Sequence, residues 1–369
     1  MNRRLASLLK FAGFLALGVA ILTFVYRRQS AAYAAQCALD GVPAADCSLL
    51  GKLAGDLATV NYWWLLVLLL VFMVSNYFRA VRWQQLLEPV NAGRGVRFGN
   101  AFWTVMIGYF ANLGFPRAGE LVRAGLLGRY EGIPVERVVG TVVVDRLLDL
   151  LCLGVVVAIA FAVQWDLLAG FVVDQRGGAD AAGGGYGYLV LAAAALVAGL
   201  AVAWWAWRRL RHLALVQRVE RVARGFIDGL RSVAQVRDKG RLVLNTVGIW
   251  GCYFLMAYLP FFAFPPTSHL GVDAALMVFV FSALGIVIPA PGGMGSYHFM
   301  VIQALAIYNI DGADALSFAN ILFVTVNLGC NILFGLIGLA VLPGLNGGQR
   351  VDLAAATRTE TGEVQPEAV

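Results

Sequence analysis

Arg117, Glu120 and Arg123 follow an apolar run within the stretch GYFANLGFPRAGELVRAG, which turns at Pro116. A second charged group, Asp145, Arg146 and Asp149, interrupts the apolar stretch TVVVDRLLDLLCLG. Arginine forks bind phosphate and carboxylate bidentately, and a helix starting after Pro116 would add its free N–H groups to an anion site. Asp145 and Asp149 are four apart and share a helix face, and Arg146 reaches Asp149 at three apart. A charge at the centre of a bilayer costs roughly 2.5–3.5 kcal/mol even on insertion scales, so these groups must face protein or water. Two compatible readings follow: a polar cavity for a charged head group, and an ion-pair network that locks two elements together. Glu120 is a candidate to neutralise a cationic head group, carry a proton or pair with Arg123. Asn112 completes the candidate substrate-binding set.

The bilayer enters the argument through composition. The chain has 369 residues, 60% hydrophobic and 14% charged, with a mean hydropathy of +0.75. Soluble domains carry about 25% charged residues. Apolar runs at 11–26, 62–78, 138–163, 188–207, 242–264 and 315–342 approach or exceed the ~20 residues that cross a bilayer. The expectation is an all-α polytopic membrane protein with about six full spans, not a β-barrel of short alternating strands. The first run reads as an uncleaved helix, since Arg27 and Arg28 follow it directly. A net charge of +6 indicates no nucleic-acid partner here, because the basic residues sit in short loops.

Between Arg208 and Arg241 lie ten of the 28 basic residues, opposed by Glu220, Asp228 and Asp238. The positive-inside rule puts this loop in the cytoplasm, and apolar residues at helical spacing suggest a surface helix on anionic inner-leaflet lipids. The segment 166–187 is weakly charged and Gly-rich, an external loop. Cys37 and Cys47 lie in another such loop and can pair if it is external; Cys152, Cys252 and Cys330 fall in apolar helices.

Charge parity then produces two puzzles. Arg79, Arg82, Arg94 and Arg97 place the end of the second helix inside, and Arg117, Arg123, Arg129 and Arg137 place the start of the 138–163 helix inside as well. The segment near 98–130 therefore begins and ends on one face, as a re-entrant hairpin turning at Pro116 and Gly119. The segment near 274–310 does the same from the other face, breaking at IPAPGGMGSYHF with Pro289, Pro291, Gly292, Gly293 and Gly295. Irregular backbone survives in a membrane only against protein or water. The alternative is two ordinary loops and eight full spans.

The domain reading is a first helix and external loop (1–60), a first membrane repeat (61–207), the basic loop (208–241), a second, inverted repeat (242–342) and a polar cytoplasmic tail (343–369). Inverted repeats build transporters with sites at broken helices. Arg79 and Arg82 read as interfacial snorkelling residues, or as substrate contacts. Asn320, Asn327 and Asn331 read as interhelical hydrogen-bonding groups. His298 and Ser296 are further candidates beside the glycine-rich break. No metal-ligand spacing, P-loop or nucleophile elbow occurs, so neither metal nor cofactor is expected.

FRAVRWQQLLEP, then GYFANLGFPRAGELVRAGLLGRYEGIPVERVVGTVVVDRLLDL, then IPAPGGMGSYH, resemble the lysylphosphatidylglycerol synthase transmembrane region, or flippase-like domain, family. That family includes the flippase half of the bacterial multiple peptide resistance factor. The resemblance runs from roughly Leu65 to Leu342. It implies a multi-pass bacterial inner-membrane protein with cytoplasmic termini, handling an anionic or zwitterionic phospholipid, aminoacylated or polyprenyl-linked lipids included. Its motifs map onto Pro116 to Leu121 with Arg123, onto Asp145, Arg146 and Asp149, and onto Pro291, Gly292, Gly293 and Gly295. Where many members have a glutamate after the glycine run, this chain has Ser296, Tyr297 and His298. The soluble aminoacyl-transfer domain is missing, so the resemblance supports translocation, not lipid synthesis. The competing class is a membrane-embedded transferase acting on a lipid phosphate, with a carboxylate as general base. Oligomeric state is open, since small-residue faces such as GLIGLA serve packing within or between chains equally well.

Overall fold

A computed structural model describes residues 47–114, 118–165, 236–287 and 293–347, with scattered positions between 19 and 43. Pro116, Arg117, Pro289, Pro291 and Gly292 lie outside the described residues. So do the 188–207 run, the basic loop up to residue 235 and the tail from residue 348. The chain divides into two compact units, Met1–Leu153 with Val236–Val369, and Gly154–Gln235. Of the second, the described part is the end of one long helix with Gln164 and Trp165.

The described residues are helical throughout, without a strand. They form α1 (Leu49–Thr59), α2 (Tyr62–Leu87), α3 (Phe98–Gly114), α4 (Ala118–Glu131) and α5 (Val135–Val163). After the second unit come α6 (Lys239–Tyr258), α7 (Val272–Val287), α8 (Ser296–Ala306), α9 (Gly312–Leu322) and α10 (Asn331–Leu345). A π-helical segment, Phe323–Cys330, joins α9 to α10. Among the described residues, four continuous helices are long and apolar enough to cross a membrane: Tyr62–Leu87, Val135–Val163, Lys239–Ala263 and Gly312–Leu345. The chain is a multi-pass helical membrane protein, and its first and fourth expected spans fall largely or wholly outside the described residues.

Local chemistry sets the helix starts. Asn61 accepts from the Trp63 N–H at the start of α2, Asp238 from Arg241 at α6, and Asp311 from Ala313 at α9. Each satisfies an N–H that has no intrahelical partner. At its other end α2 runs on to Leu87, nine residues past the expected end at residue 78, until Pro89 opens a short 3₁₀ turn.

Two pairs of shorter helices alternate with the long ones, α3 with α4 and α7 with α8. In the first pair the backbones touch. A Cβ on Gly119 would overlap the Gly108 carbonyl, and one on Gly108 would come 2.8 Å from the Gly119 carbonyl oxygen. Asn112 Oδ1 accepts the Gly119 N–H at 2.8 Å, capping the returning arm across the turn. In the second pair a Cβ on Gly285 would stand 2.9 Å from Tyr297 Cα, and Ser296 Oγ donates to the Gly285 carbonyl at 2.7 Å.

The last long helix links the two pairs. Its first part, α9, packs on α8, and its last part, α10, packs on α3. At the far end Asn100 Nδ2 donates to Glu131 at 2.7 Å and to Asn346 at 3.0 Å, and Asn346 Nδ2 returns a bond of 2.7 Å. One amide thus ties the start of α3 to the ends of α4 and α10. The expectation of interhelical bonding by the three asparagines needs correction in part. Asn320 and Asn331 donate to carbonyls four residues back in their own helix, Leu316 and Asn327. This returns a partner to the backbone on either side of the π segment; Asn320 alone also bonds across, to His298.

On the α1 side, Cys37 and Cys47 form a disulfide, while Cys152, Cys252 and Cys330 are free. Lys52 of α1 reaches Asp56 at 3.0 Å and Asp314 of α9 at 2.6 Å, and Ser317 donates to Asp56. Burial lowers the Lys52 pKa, but the hydrogen bonds to Asp314 and Asp56 outweigh it and leave the ammonium raised above its ordinary 10.5.

Candidate functional site

Helices α2, α4, α5 and α6 meet in a buried cluster of charge. Arg79 and Arg82 are three apart on α2, and Asp145 and Asp149 are four apart on α5, so each pair presents one face to the other. Arg79 Nη1 donates to Asp145 Oδ2 at 3.1 Å and its Nη2 to Asp149 Oδ2 at 2.9 Å. Arg82 donates through Nε and Nη2 to Asp145 Oδ1 at 3.0 and 2.6 Å, and through Nη2 to Asp149 Oδ1 at 2.6 Å. Both carboxylates are thereby shared between both guanidiniums. Tyr253 of α6 accepts from Arg79 Nη2 at 2.7 Å.

Arg123 of α4 joins this square as a third cation. Its Nη2 donates to Asp145 Oδ2 at 3.1 Å, the oxygen already bonded to Arg79. Its guanidinium carbon lies 4.9 Å from the centre of the Trp83 ring, a cation–π arrangement. Trp83 is held for this by its own N–H, which donates to Thr141 Oγ1 at 3.0 Å. Exposure is 1% for Arg79, 0% for Arg82, 3% for Arg123 and 0% for Asp145.

The periphery is wetter. Glu120 pairs with Arg146 at 2.7 Å, with side-chain exposures of 31% and 39%, and Arg146 also stands 3.9 Å from Asp149. Four guanidiniums therefore face three carboxylates, leaving one net positive charge. Donors are in excess too: among the described residues, Arg79 Nε, Arg82 Nη1, and Arg123 Nε and Nη1 are buried without a hydrogen-bond partner. Buried polar groups are nearly always paired, so four such donors on three clustered arginines mark a place that lacks an acceptor.

The sequence candidates separate accordingly. Arg123, Asp145, Arg146, Asp149 and Glu120 come together, with Arg146–Asp149 paired as the spacing suggested and Glu120 on Arg146 in place of Arg123. Asn112 serves the hairpin turn. Gly119 makes the close contact just described, while Gly293 and Gly295 adopt positive φ of 76° and 81° before α8. Ser296 commits its hydroxyl to the Gly285 and Gly293 carbonyls, and His298 is bonded to Asn320.

The snorkelling expectation for Arg79 and Arg82 is wrong. They stand well inside a helix that continues to Leu87 and meet the fully buried Asp145 and the mostly buried Asp149, which hold them more strongly than a distant interface could. The loop charge at that end of α2 thus rests on Arg94 and Arg97. Trp83, Thr141 and Tyr253 were not singled out from sequence. The legible signal was the match of a three-apart arginine pair to a four-apart aspartate pair.

A family model described as lysylphosphatidylglycerol synthase TM region matches residues 48–350, most of the chain and all of this cluster. The chain belongs to that family. It is a membrane-embedded, multi-pass, lipid-related protein, and the resemblance carried by the three motifs is thereby confirmed. Among curated proteins and among solved structures, nothing matches.

Proposed function

We propose that the protein moves a polar phospholipid between leaflets, receiving its anionic or zwitterionic head group at Arg123. The excess of donors and of positive charge carries this reading: unpaired N–H groups on Arg123, Arg79 and Arg82 beside one uncompensated charge. A phosphodiester monoanion would neutralise the cluster and supply the missing acceptors. Arg79 and Arg82, each bonded to both carboxylates, position the receptor arginine and fix α2 to α5. The half-buried Glu120–Arg146 pair forms the rim the head group passes first. The acyl chains stay in lipid.

In this reading the pairs α3–α4 and α7–α8 are re-entrant hairpins of an inverted repeat, moving against each other to open alternate faces. Equal spacing supports the repeat. The interval from Tyr62 to Lys239, the starts of α2 and α6, equals that from Val135 to Gly312, the starts of α5 and α9. The contacting positions Gly108 and Gly119 recur at the same interval as Gly285 and Ser296. A transferase would need a carboxylate available as base, whereas Asp145 already accepts four N–H groups.

The test is leaflet accessibility in proteoliposomes, with fluorescent phosphatidylglycerol and phosphatidylethanolamine quenched from outside. Wild type should reduce the protected fraction faster than protein-free vesicles, and Arg123→Gln should abolish the gain. Equal rates with and without protein for every lipid tried, with or without a proton gradient, would sink translocation of these lipids.

A further inference from the structure

Helix α3 brings a polar side chain of its own to the charge cluster. Gly108 and Asn112, one turn apart on α3, both meet Gly119, and a Cβ on Gly108 would come 3.2 Å from Arg123 Cβ. That edge of α3 therefore lies against the start of α4. Successive residues of a helix stand about 100° apart, so Ile107 and Tyr109 flank the edge on opposite sides. Ile107 packs with Val122, Leu126 and Leu342 on the apolar side. Tyr109 is left on the other side, with the charges.

The phenol of Tyr109 stands close enough to Arg79, Arg123, Arg146 and Tyr253 to interact electrostatically with all four. These groups belong to α2, α4, α5 and α6, so one hydroxyl reaches the cluster from a fifth helix. Among the described residues no hydrogen bond engages it. Asp145 is no acceptor for it, since that carboxylate already takes four N–H groups. Tyr253 Oη already accepts from Arg79. Tyr109 is half-buried, so unlike Arg79 and Arg123 it keeps an open side. A phenol oxygen both donates and accepts. Among cations its lone pairs turn towards the guanidiniums, which leaves the O–H for an anion.

We infer that Tyr109 is a second ligand of the head group, its O–H donating to an oxygen of the phosphodiester that Arg123 receives. The inference rests on the head-group reading above and deepens it. A neutral donor adds a bond without adding charge, so the site keeps its one net positive charge and still matches a monoanion. It also sets the phosphate between α3 and α4, so that both helices of the first pair hold the lipid. Binding at this position does not depend on transport taking place.

The experiment compares wild type with Tyr109→Phe by titration calorimetry in phosphate-free maltoside micelles. One arm adds short-chain phosphatidylglycerol, the other dimethyl phosphate, a phosphodiester without acyl chains. Short-chain diacylglycerol, which lacks the phosphate, is the control. Tyr109→Phe removes the hydroxyl alone, so its unfolding midpoint without ligand should equal that of wild type. Loss of one charge-assisted bond should weaken phosphatidylglycerol binding by about tenfold or more, with diacylglycerol binding unchanged. The same loss with dimethyl phosphate means a phosphodiester site open to water; loss in the lipid arm alone means a head-group site that needs the acyl chains. Equal affinity of the two proteins for phosphatidylglycerol overturns the inference and leaves Arg123 as receptor. An equal loss for diacylglycerol, or a Tyr109→Phe that does not fold, also overturns it, by making Tyr109 a packing residue. No binding to wild type in either arm overturns the head-group reading along with it, so the two failures are distinct.

Discussion

Replacing Asp145 by Asn would test how the charge cluster divides between support and reception. Asp145 is fully buried and accepts four N–H groups from three guanidiniums at 2.6–3.1 Å. Asn keeps the shape but removes the charge, leaving Arg79 and Arg82 on Asp149 alone and Arg123 without its carboxylate. Removing one partner of a buried ion pair costs about 3–5 kcal/mol, because the remaining charge stays buried and uncompensated. Arg82→Gln should cost a similar amount, since Arg82 contributes three bonds to the two carboxylates, among them the cluster's two shortest at 2.6 Å.

Arg123→Gln should behave differently. It gives up one charge-assisted bond of about 1.5–3 kcal/mol and a cation–π contact of roughly 0.5–2 kcal/mol. It also removes the surplus charge and two unpaired buried donors, each of which costs about 1–3 kcal/mol. These contributions nearly cancel, so stability should change by no more than about 1 kcal/mol. Unfolding in maltoside micelles, followed by the fluorescence of the nine tryptophans, would measure all three variants. Arg123→Gln as damaging as Arg82→Gln would refute the division of labour, making Arg123 one more strut. A neutral Asp145→Asn would refute the network altogether.

Three further outcomes are expected. Gly119→Ala drives a methyl group into the Gly108 carbonyl and should cost at least the roughly 1–3 kcal/mol of an overpacked core; Gly114→Ala, with nothing within 4 Å, is the silent control in the same unfolding assay. The Lys52 tie between α1 and α9 should persist from neutral pH up to about 10.5 and fade above it. Its folded pKa is raised, so its contribution is complete below the unfolded value and lost as pH rises through the folded one. Because the pair is partly exposed, a Lys52→Met and Asp314→Asn cycle should give only about 0–1 kcal/mol, vanishing at high pH. Finally, denatured protein should show three maleimide-reactive thiols before reduction and five after it, and Cys37→Ser should lower stability by about 2–4 kcal/mol.

Much of the molecule is settled by local chemistry. A run of twenty apolar residues has no stable place in water, so composition alone puts this chain in a bilayer. Proline, glycine and capping residues then mark where helices start and turn. The charges were legible as an anomaly, because Asp145, Arg146 and Asp149 have no business on a lipid face. Their partners were not. Arg79 looked like an interfacial residue because a hydropathy pattern ends where charges begin, although the helix itself continues to Leu87. Only the packing of α2 on α5 decides that its two arginines face two aspartates 63 to 70 residues away along the chain. Likewise, sequence gives Tyr109 only a place in an apolar helix, while its nearness to Arg79, Arg123 and Arg146 exists once α3 has packed among their helices. Burial removes the water that would otherwise satisfy each donor, so which donors stay unpaired is decided in three dimensions.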